Sequence, residues 1–310
     1  MLSYDVTPRP KQWRLLCINS PGSGQKEVSA IFRRLVVFLD ELAPQQGVFP
    51  LALDWARRFC LPICGVPDAG PTSAIAVAGE RRCEEINVAW EAAYPYGREL
   101  RDLRLIIRPG DLLIFGRALR SARRGEFFDE LLRTDTVPVL FGSDASSLPS
   151  RVLLVDQGEH SSEQFIAAGG DICSSLGANL IVLTLARSDR LAHRREEATR
   201  NLLATRGINA DFDFMVGREP RAAIASVARW RRCSLVIVEQ KSVHPWWRWF
   251  RSGGNGWLAK FTEPLSFLSF PGTAIPFLPT YRRDATPMHG FEPPHVATSE
   301  RNTLDSTQAR

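Results

Sequence analysis

The chain reads as an α/β protein made of two parallel-sheet units in tandem. Three observations predict this. Short continuous apolar runs such as RVLLVD (151–156) and SLVIV (234–238) have the composition of strands buried on both faces. They alternate with stretches of helical periodicity, and that alternation requires crossover connections and so a parallel sheet. The same order of elements occurs twice, and a period on the order of 100 residues signals duplicated domains, not a solenoid.

In the second half, Arg151 to Asp156 is the first strand, a buried run ending in an acid. Ser161 and Ser162 can cap a helix through EQFIAAGGDICSSLG, in which Phe165, Ile166, Ala168, Ile172, Cys173 and Leu176 recur at three and four. Gly177 stops that helix, and Ala178 to Ala186 is the second strand. An Arg- and Glu-rich helix over 187–205 is closed by Gly207, and Asp211 to Val216 is the third strand. Gly217 to Pro220 turns into a helix through Ile224 and Val227, Ser234 to Val238 is the fourth strand, and Thr273 to Leu278 is the last.

The first half repeats the order. Leu35 to Asp40 (LVVFLD) is again a strand ending in an acid, followed by a helix with Leu51, Trp55 and Phe59 on one side. Further strands are expected at Pro62 to Val66, Asn87 to Ala92, Leu112 to Gly116 and Val137 to Phe141. Helices are expected over 97–105 and through Phe127, Phe128, Leu131 and Leu132. These elements divide the chain into an extension (1–32), two domains (33–145 and 150–280) and a Pro-, Thr- and Arg-rich tail (281–310). The tail has too little apolar content to fold and is expected to be disordered.

Composition excludes several classes. Hydrophobic residues make up 44% and charged residues 24%, as in an ordinary globular protein. The net charge of +5 is too weak, and no motif accompanies it, for a nucleic-acid binder. No apolar run of about 18 residues is present, so an integral membrane protein is not expected. The first residues, MLSYDVTPRPKQW, lack a basic segment followed by an apolar core, which argues against a secretory leader and for the cytoplasm. The six cysteines match neither redox nor zinc spacing and read as small buried hydrophobes. The five histidines show no metal spacing either.

The VLLVD strand, the SSLGANLIVLTL segment, the VGREPRAAI turn and helix, and the CSLVIVE strand together resemble the universal stress proteins. The LLIFG strand, the helix after it and VPVLF resemble the C-terminal third of the same fold in the first half. The resemblance covers roughly residues 33–280. It implies two doubly wound, mainly parallel five-stranded sheets, similar to the adenine nucleotide alpha-hydrolase fold. It also implies pairing of the halves through their last strands, an internal pseudo-dimer.

Many members of that family bind ATP. An acid after the first strand approaches the nucleoside, and a glycine-rich loop after the fourth strand holds the phosphates. Glycines let backbone N–H groups reach the phosphates, and a closing hydroxyl adds a donor. Asp40 and Asp156 match the acid. The loop is degraded: Gly116 matches its first glycine in the first half, but Leu119 stands at the second, and the closing pair falls on Asp129 and Glu130. Carboxylates facing a triphosphate cost on the order of 1 kcal/mol or more each. In the second half Glu239 replaces the first glycine, and Ala259 and Lys260 stand where Gly-Ser belongs.

The cofactor expectation is therefore none, with ATP in the second half as the alternative. Asp156, Gly217, Ser252 and Lys260, with Asp40 in the first half, are the candidate contacts. Half of the eight tryptophans lie between 246 and 257. Trp246, Trp247, Trp249 and Trp257, with Arg248 and Arg251, suit a protein-partner surface. The same mixture also suits a plug over the second unit's strand edge, a membrane interface or base stacking. No Ser-His-Asp or Cys-His constellation can be assembled. The expected function is a non-enzymatic stress-response or regulatory module acting through protein contacts. The alternatives are a nucleotide sensor or weak ATPase, and a regulatory module docking on a transporter.

Overall fold

Ser162 and Gly177 delimit the helix that organises the second half. The Ser162 side chain accepts a hydrogen bond from the Phe165 N–H, and Gly177 takes the left-handed conformation (φ 69°) that ends the helix. Between them α3 (Glu163–Leu176) buries Phe165, Ile166, Ala168, Ile172, Cys173 and Leu176. Every one of these lies on the apolar face expected from their spacing.

The computed structural model describes residues 31–39, 48–67, 73–93, 105–115, 137–142, 148–158, 161–217, 220–240 and 265–271. All of them lie in the compact unit Met1–Phe277. The first half contributes β1 (Arg34–Leu39), α1 (Val48–Phe59), β2 (Ile63–Pro67), α2 (Ala74–Glu85), β3 (Trp90–Ala92), β4 (Asp111–Phe115) and β5 (Val139–Phe141). The second contributes β6 (Arg151–Asp156), α3, β7 (Asn179–Ala186), α4 (Asp189–Thr205), β8 (Ala210–Val216), α5 (Pro220–Trp230), β9 (Leu235–Gln240) and β10 (Ser266–Pro271).

The strands form one ten-stranded sheet in the order β3-β2-β1-β4-β5-β10-β9-β6-β7-β8. Counted within its own half, each set of five runs third, second, first, fourth, fifth. All neighbours are parallel except β5 and β10, which pair antiparallel with Phe141 opposite Phe267 and Leu140 opposite Leu268. The last strands of the two halves therefore meet edge to edge and cover edges that would otherwise be open.

One apolar core crosses that junction. On one face Leu35, Val37, Leu112 and Leu140 continue into Leu268, Ile237, Leu154 and Val182, under α1, α3 and α4. Phe32, just before β1, stacks on Phe270 of β10 with ring centroids 6.2 Å apart. Phe270 also meets Phe165 of α3 edge-on. The other face of the second half packs Leu153, Val155, Val236 and Val238 against Ile224 and Val227 of α5. Each large side chain fully buried in this way contributes about 1.5–3 kcal/mol.

Two polar anchors link elements, one between strand starts and one between the end of α5 and β8. Arg34 donates from Nε to Asp111 Oδ1 (3.1 Å) and from Nη2 to Asp111 Oδ2 (2.7 Å), across β1 and β4. Arg231 forks onto Asp213 of β8 at 2.8 and 2.7 Å. Gly65 is required where it stands, because a Cβ there would meet the Trp90 ring at 2.0 Å.

The structure differs from the sequence reading in four places. The helix α2 (Ala74–Glu85) was not expected; only Ala76, Gly79 and Cys83 are buried on it, so its apolar stripe is weak. The third strand is shortened to Trp90–Ala92 from the expected 87–92, because Asn87 takes a positive φ of 56° and closes the α2 C-terminus. Val137 to Phe141 contracts to Val139–Phe141. The last strand is Ser266–Pro271, whereas the expected 273–278 lies outside the described residues. β10 sits between β9 and β5, where a proline in mid-strand would remove a ladder hydrogen bond. The run SFLSFP has its proline at the end, whereas 273–278 carries Pro276 inside. No helix among the described residues is long and apolar enough to cross a membrane.

Candidate functional site

In an open parallel sheet, ligands bind outside the carboxyl ends of the strands, at the point where strand order reverses. In the second half that point lies between β6 and β9, which are in register from Val152–Leu235 to Val155–Val238. The next residues along each strand are Asp156 and Glu239. Both are buried, at 0% and 1% exposure. The sequence thus puts two carboxylates side by side where a nucleotide would need room and N–H donors.

Protein groups engage both. Arg195 of α4 donates from Nε to Asp156 Oδ2 at 2.9 Å and to Oδ1 at 3.2 Å. Thr199, one turn further along α4, donates its hydroxyl to Oδ2 at 3.1 Å. The Gly158 N–H donates to Oδ1 at 3.0 Å. Burial pushes the Asp156 carboxyl up, and the Arg195 charge, the two side-chain hydrogen bonds and the Gly158 N–H pull it back only in part.

Glu239 is turned onto the start of α3. Its Oε2 accepts the Ser162 N–H at 3.0 Å, and its Oε1 accepts the Ser162 hydroxyl at 2.7 Å. A carboxylate at a helix N-terminus is stabilised by the orphan N–H groups and the helix dipole. Those are the same groups that would hold a phosphate. Ser161 completes the cluster: its hydroxyl accepts the Gln157 N–H at 2.8 Å, and its carbonyl accepts from Arg195 Nη2 at 2.8 Å. Gln157 Nε2 in turn donates to the Glu239 carbonyl at 3.4 Å.

Among the described residues, one polar atom in this region has no partner. Thr184 of β7 stands in register with Asp156, is 1% exposed, and its Oγ1 makes no hydrogen bond to a described residue.

Of the residues singled out by sequence, Asp156 lies at the strand-order reversal. Gly217 lies two strands away at the end of β8, with φ 64° and its N–H on the Ala186 carbonyl at 3.2 Å. No described residue stands within 4 Å of a Cβ built on Gly217, which serves a turn at the end of β8. Asp40, Ser252, Lys260, Trp246, Trp247, Arg248, Trp249, Arg251 and Trp257 lie outside the described residues, as do Gly116, Leu119, Asp129, Glu130 and Ala259. Sequence reasoning missed Arg195 and Thr199. Their i, i+4 spacing puts them on one helix face, but nothing local says that a strand-end acid 39 residues back meets that face.

No protein-family model matches the sequence, and no curated protein matches it. Solved structures do match in shape. A universal stress protein from Archaeoglobus fulgidus DSM 4304 superposes with a TM-score of 0.54 at 12% identity, over 76% of this chain and 95% of that one. A Pseudomonas aeruginosa UCBPP-PA14 protein described as a universal stress protein gives 0.53 at 15% identity, over 78% and 94%. The cytoplasmic domain of a prokaryotic cation chloride cotransporter gives 0.51 at 13%, over 79% and 98%. The chain has the universal stress protein fold.

Proposed function

We propose that this chain is a non-enzymatic tandem universal-stress-like protein, acting in stress response or regulation in the cytoplasm through protein contacts. Its two halves form an internal pseudo-dimer, and its nucleotide sites have been given up. The observation that carries this reading is the Glu239 carboxylate on the Ser162 N–H and hydroxyl. An anionic side chain there takes the donors a phosphate would use and repels the phosphate itself. The Arg195 and Thr199 contacts to Asp156 point the same way, because they use the carboxylate that would otherwise face a nucleoside. With the pocket filled, recognition falls to the surface, and the Trp246–Trp257 stretch with Arg248 and Arg251 is the candidate for the partner contact.

Calorimetric titration of the full chain with Mg-ATP tests this. The expected result is no binding tighter than roughly 100 μM, about −5.5 kcal/mol. A low-micromolar constant overturns the reading and makes the chain a nucleotide sensor that uses the second half. A second reading is a regulatory module that docks on a transporter. It is prompted by the fold shared with a cotransporter's cytoplasmic domain. Recovery of an intact transporter with the tagged chain from solubilised membranes, lost when Trp247 and Trp249 become Ala, would select it.

A further inference from the structure

At the opposite edge of the second-half sheet, where β6, β7 and β8 begin, lies a cleft of about 540 Å³. That volume is in the range of small-molecule sites. Arg151, Ser174, Asn179, Asn209, Asp211 and Arg231 supply its polar lining. The charges there are unevenly answered. Arg231 is satisfied by its fork onto Asp213, at 2.8 and 2.7 Å. Asp211 has only the outer side of the same guanidinium, 3.9 Å from Nη1, and its side chain is 72% exposed. Arg151 donates from Nη1 to the Arg231 carbonyl at 2.9 Å and has no carboxylate partner among the described residues. Neither Asn179 nor Asn209 uses its amide on a described residue. The cleft therefore presents one unanswered cation, one weakly answered anion and two unused amides.

α3 and α4 also end beside the cleft, at the caps Gly177 and Arg206, but most of their last carbonyls are taken. Those of Cys173 and Ser174 accept the N–H groups of Ala178 and Gly177, that of Ser175 accepts from Arg58, and those of Leu203 and Ala204 accept the N–H groups that follow α4. The choice of ligand therefore falls to the side chains. A simple anion would meet Arg151 but also Asp211. A simple cation would meet Asp211 but also two guanidinium groups. A ligand carrying both charges a few bonds apart meets no such conflict.

We propose that this cleft binds a small zwitterion, a free polar α-amino acid. Its carboxylate rests on the Arg151 guanidinium, where charge-assisted hydrogen bonds are strong. Its ammonium faces Asp211, and its side chain meets the amides of Asn179 and Asn209. The site is separate from Asp156 and Glu239 and does not depend on whether nucleotide binding is lost.

Saturation-transfer NMR and calorimetry on the full chain test this, with L-glutamine and L-serine as probes and acetate and methylammonium as half-ligands. The expected result is saturable amino-acid binding, with each half-ligand at least about tenfold weaker, as expected when one charged contact is lost. Arg151→Gln and Asp211→Asn should each weaken binding by about tenfold or more without changing the far-UV spectrum. Arg82→Gln, which breaks an exposed ion pair to Glu85 on α2 in the other half, should leave binding unchanged. The proposal is overturned if none of the twenty L-amino acids binds saturably, or if both cleft variants bind as the parent does. It is also overturned if acetate alone binds as tightly as L-glutamine, which would make the cleft a simple anion site.

Discussion

Glu239, at the carboxyl end of β9, accepts both the N–H (3.0 Å) and the hydroxyl (2.7 Å) of Ser162, the residue that caps α3. One buried carboxylate thereby fastens the end of a central strand to the start of the helix 77 residues earlier in the chain. Hydrogen bonds to a charged partner contribute about 1.5–3 kcal/mol, and a buried donor left without one costs about 1–3 kcal/mol. Glu239→Ala is therefore expected to lower stability by about 2–4 kcal/mol, on the same basis. Urea denaturation measures it, and a loss below about 0.5 kcal/mol, the scale of surface substitutions, would show the contact to be incidental.

Asp156 sets a pH dependence. Burial raises its folded pKa above the ordinary 3.8. The folded chain then holds that proton more tightly than the unfolded chain does. Stability from this group is fully present below about pH 3.8 and is withdrawn as the pH rises through the folded value. Asp156→Asn removes the titration, so its stability should fall less steeply, or rise more steeply, than the parent's across that window. Urea midpoints measured at intervals from pH 4 to pH 7 (about the range in which a raised carboxyl titrates) report the difference. Parallel curves for the two proteins would refute the assignment.

Thr184 is a burial without compensation. Its hydroxyl is enclosed and unpaired among the described residues, so replacing it by a methyl group of similar shape removes a desolvation cost. Thr184→Val is expected to raise stability by about 1 kcal/mol. A drop in melting temperature would mean that the hydroxyl has a partner in solution, an ordered water being the obvious one.

Among the described cysteines, reactivity should separate cleanly. Burial pushes the thiols of Cys64, Cys83 and Cys173 up to about 12 and that of Cys233 up to about 11. Cys60 is exposed, in the turn between α1 and β2. Since the thiolate is the reactive form, iodoacetamide at mildly alkaline pH should modify Cys60 in the folded chain and spare the other four. All five should react in denaturant. Peptide mapping that finds Cys173 or Cys64 modified in the native protein would contradict the burial described.

Much of this fold could be read from residue order because it rests on local chemistry. Continuous apolar runs made strands, and Ser162 and Gly177 bounded α3 as capping rules require. The replacement of a loop glycine by Glu239 was equally visible. What Glu239 does was not, because its partner lies on another element. Likewise Asp156 could be named as a strand-end acid, but Arg195 and Thr199 reach it only because α4 packs across β7 and β8. The unexpected α2 and the displaced last strand have separate causes. Ala74–Glu85 is held by a cap at Ser73 and by Trp90 packing on Gly79, not by a strong apolar stripe. Of two adjacent apolar runs, the run free of internal proline took the central place between β9 and β5. Local preference determined which segments could be strands and helices. Only the tertiary structure decided which edges met, which donors reached a buried charge and where an unanswered charge such as Arg151 was left beside a cleft. Those outcomes depend on distances between residues far apart in the chain, and the free energy of burial sets them once the whole sheet assembles.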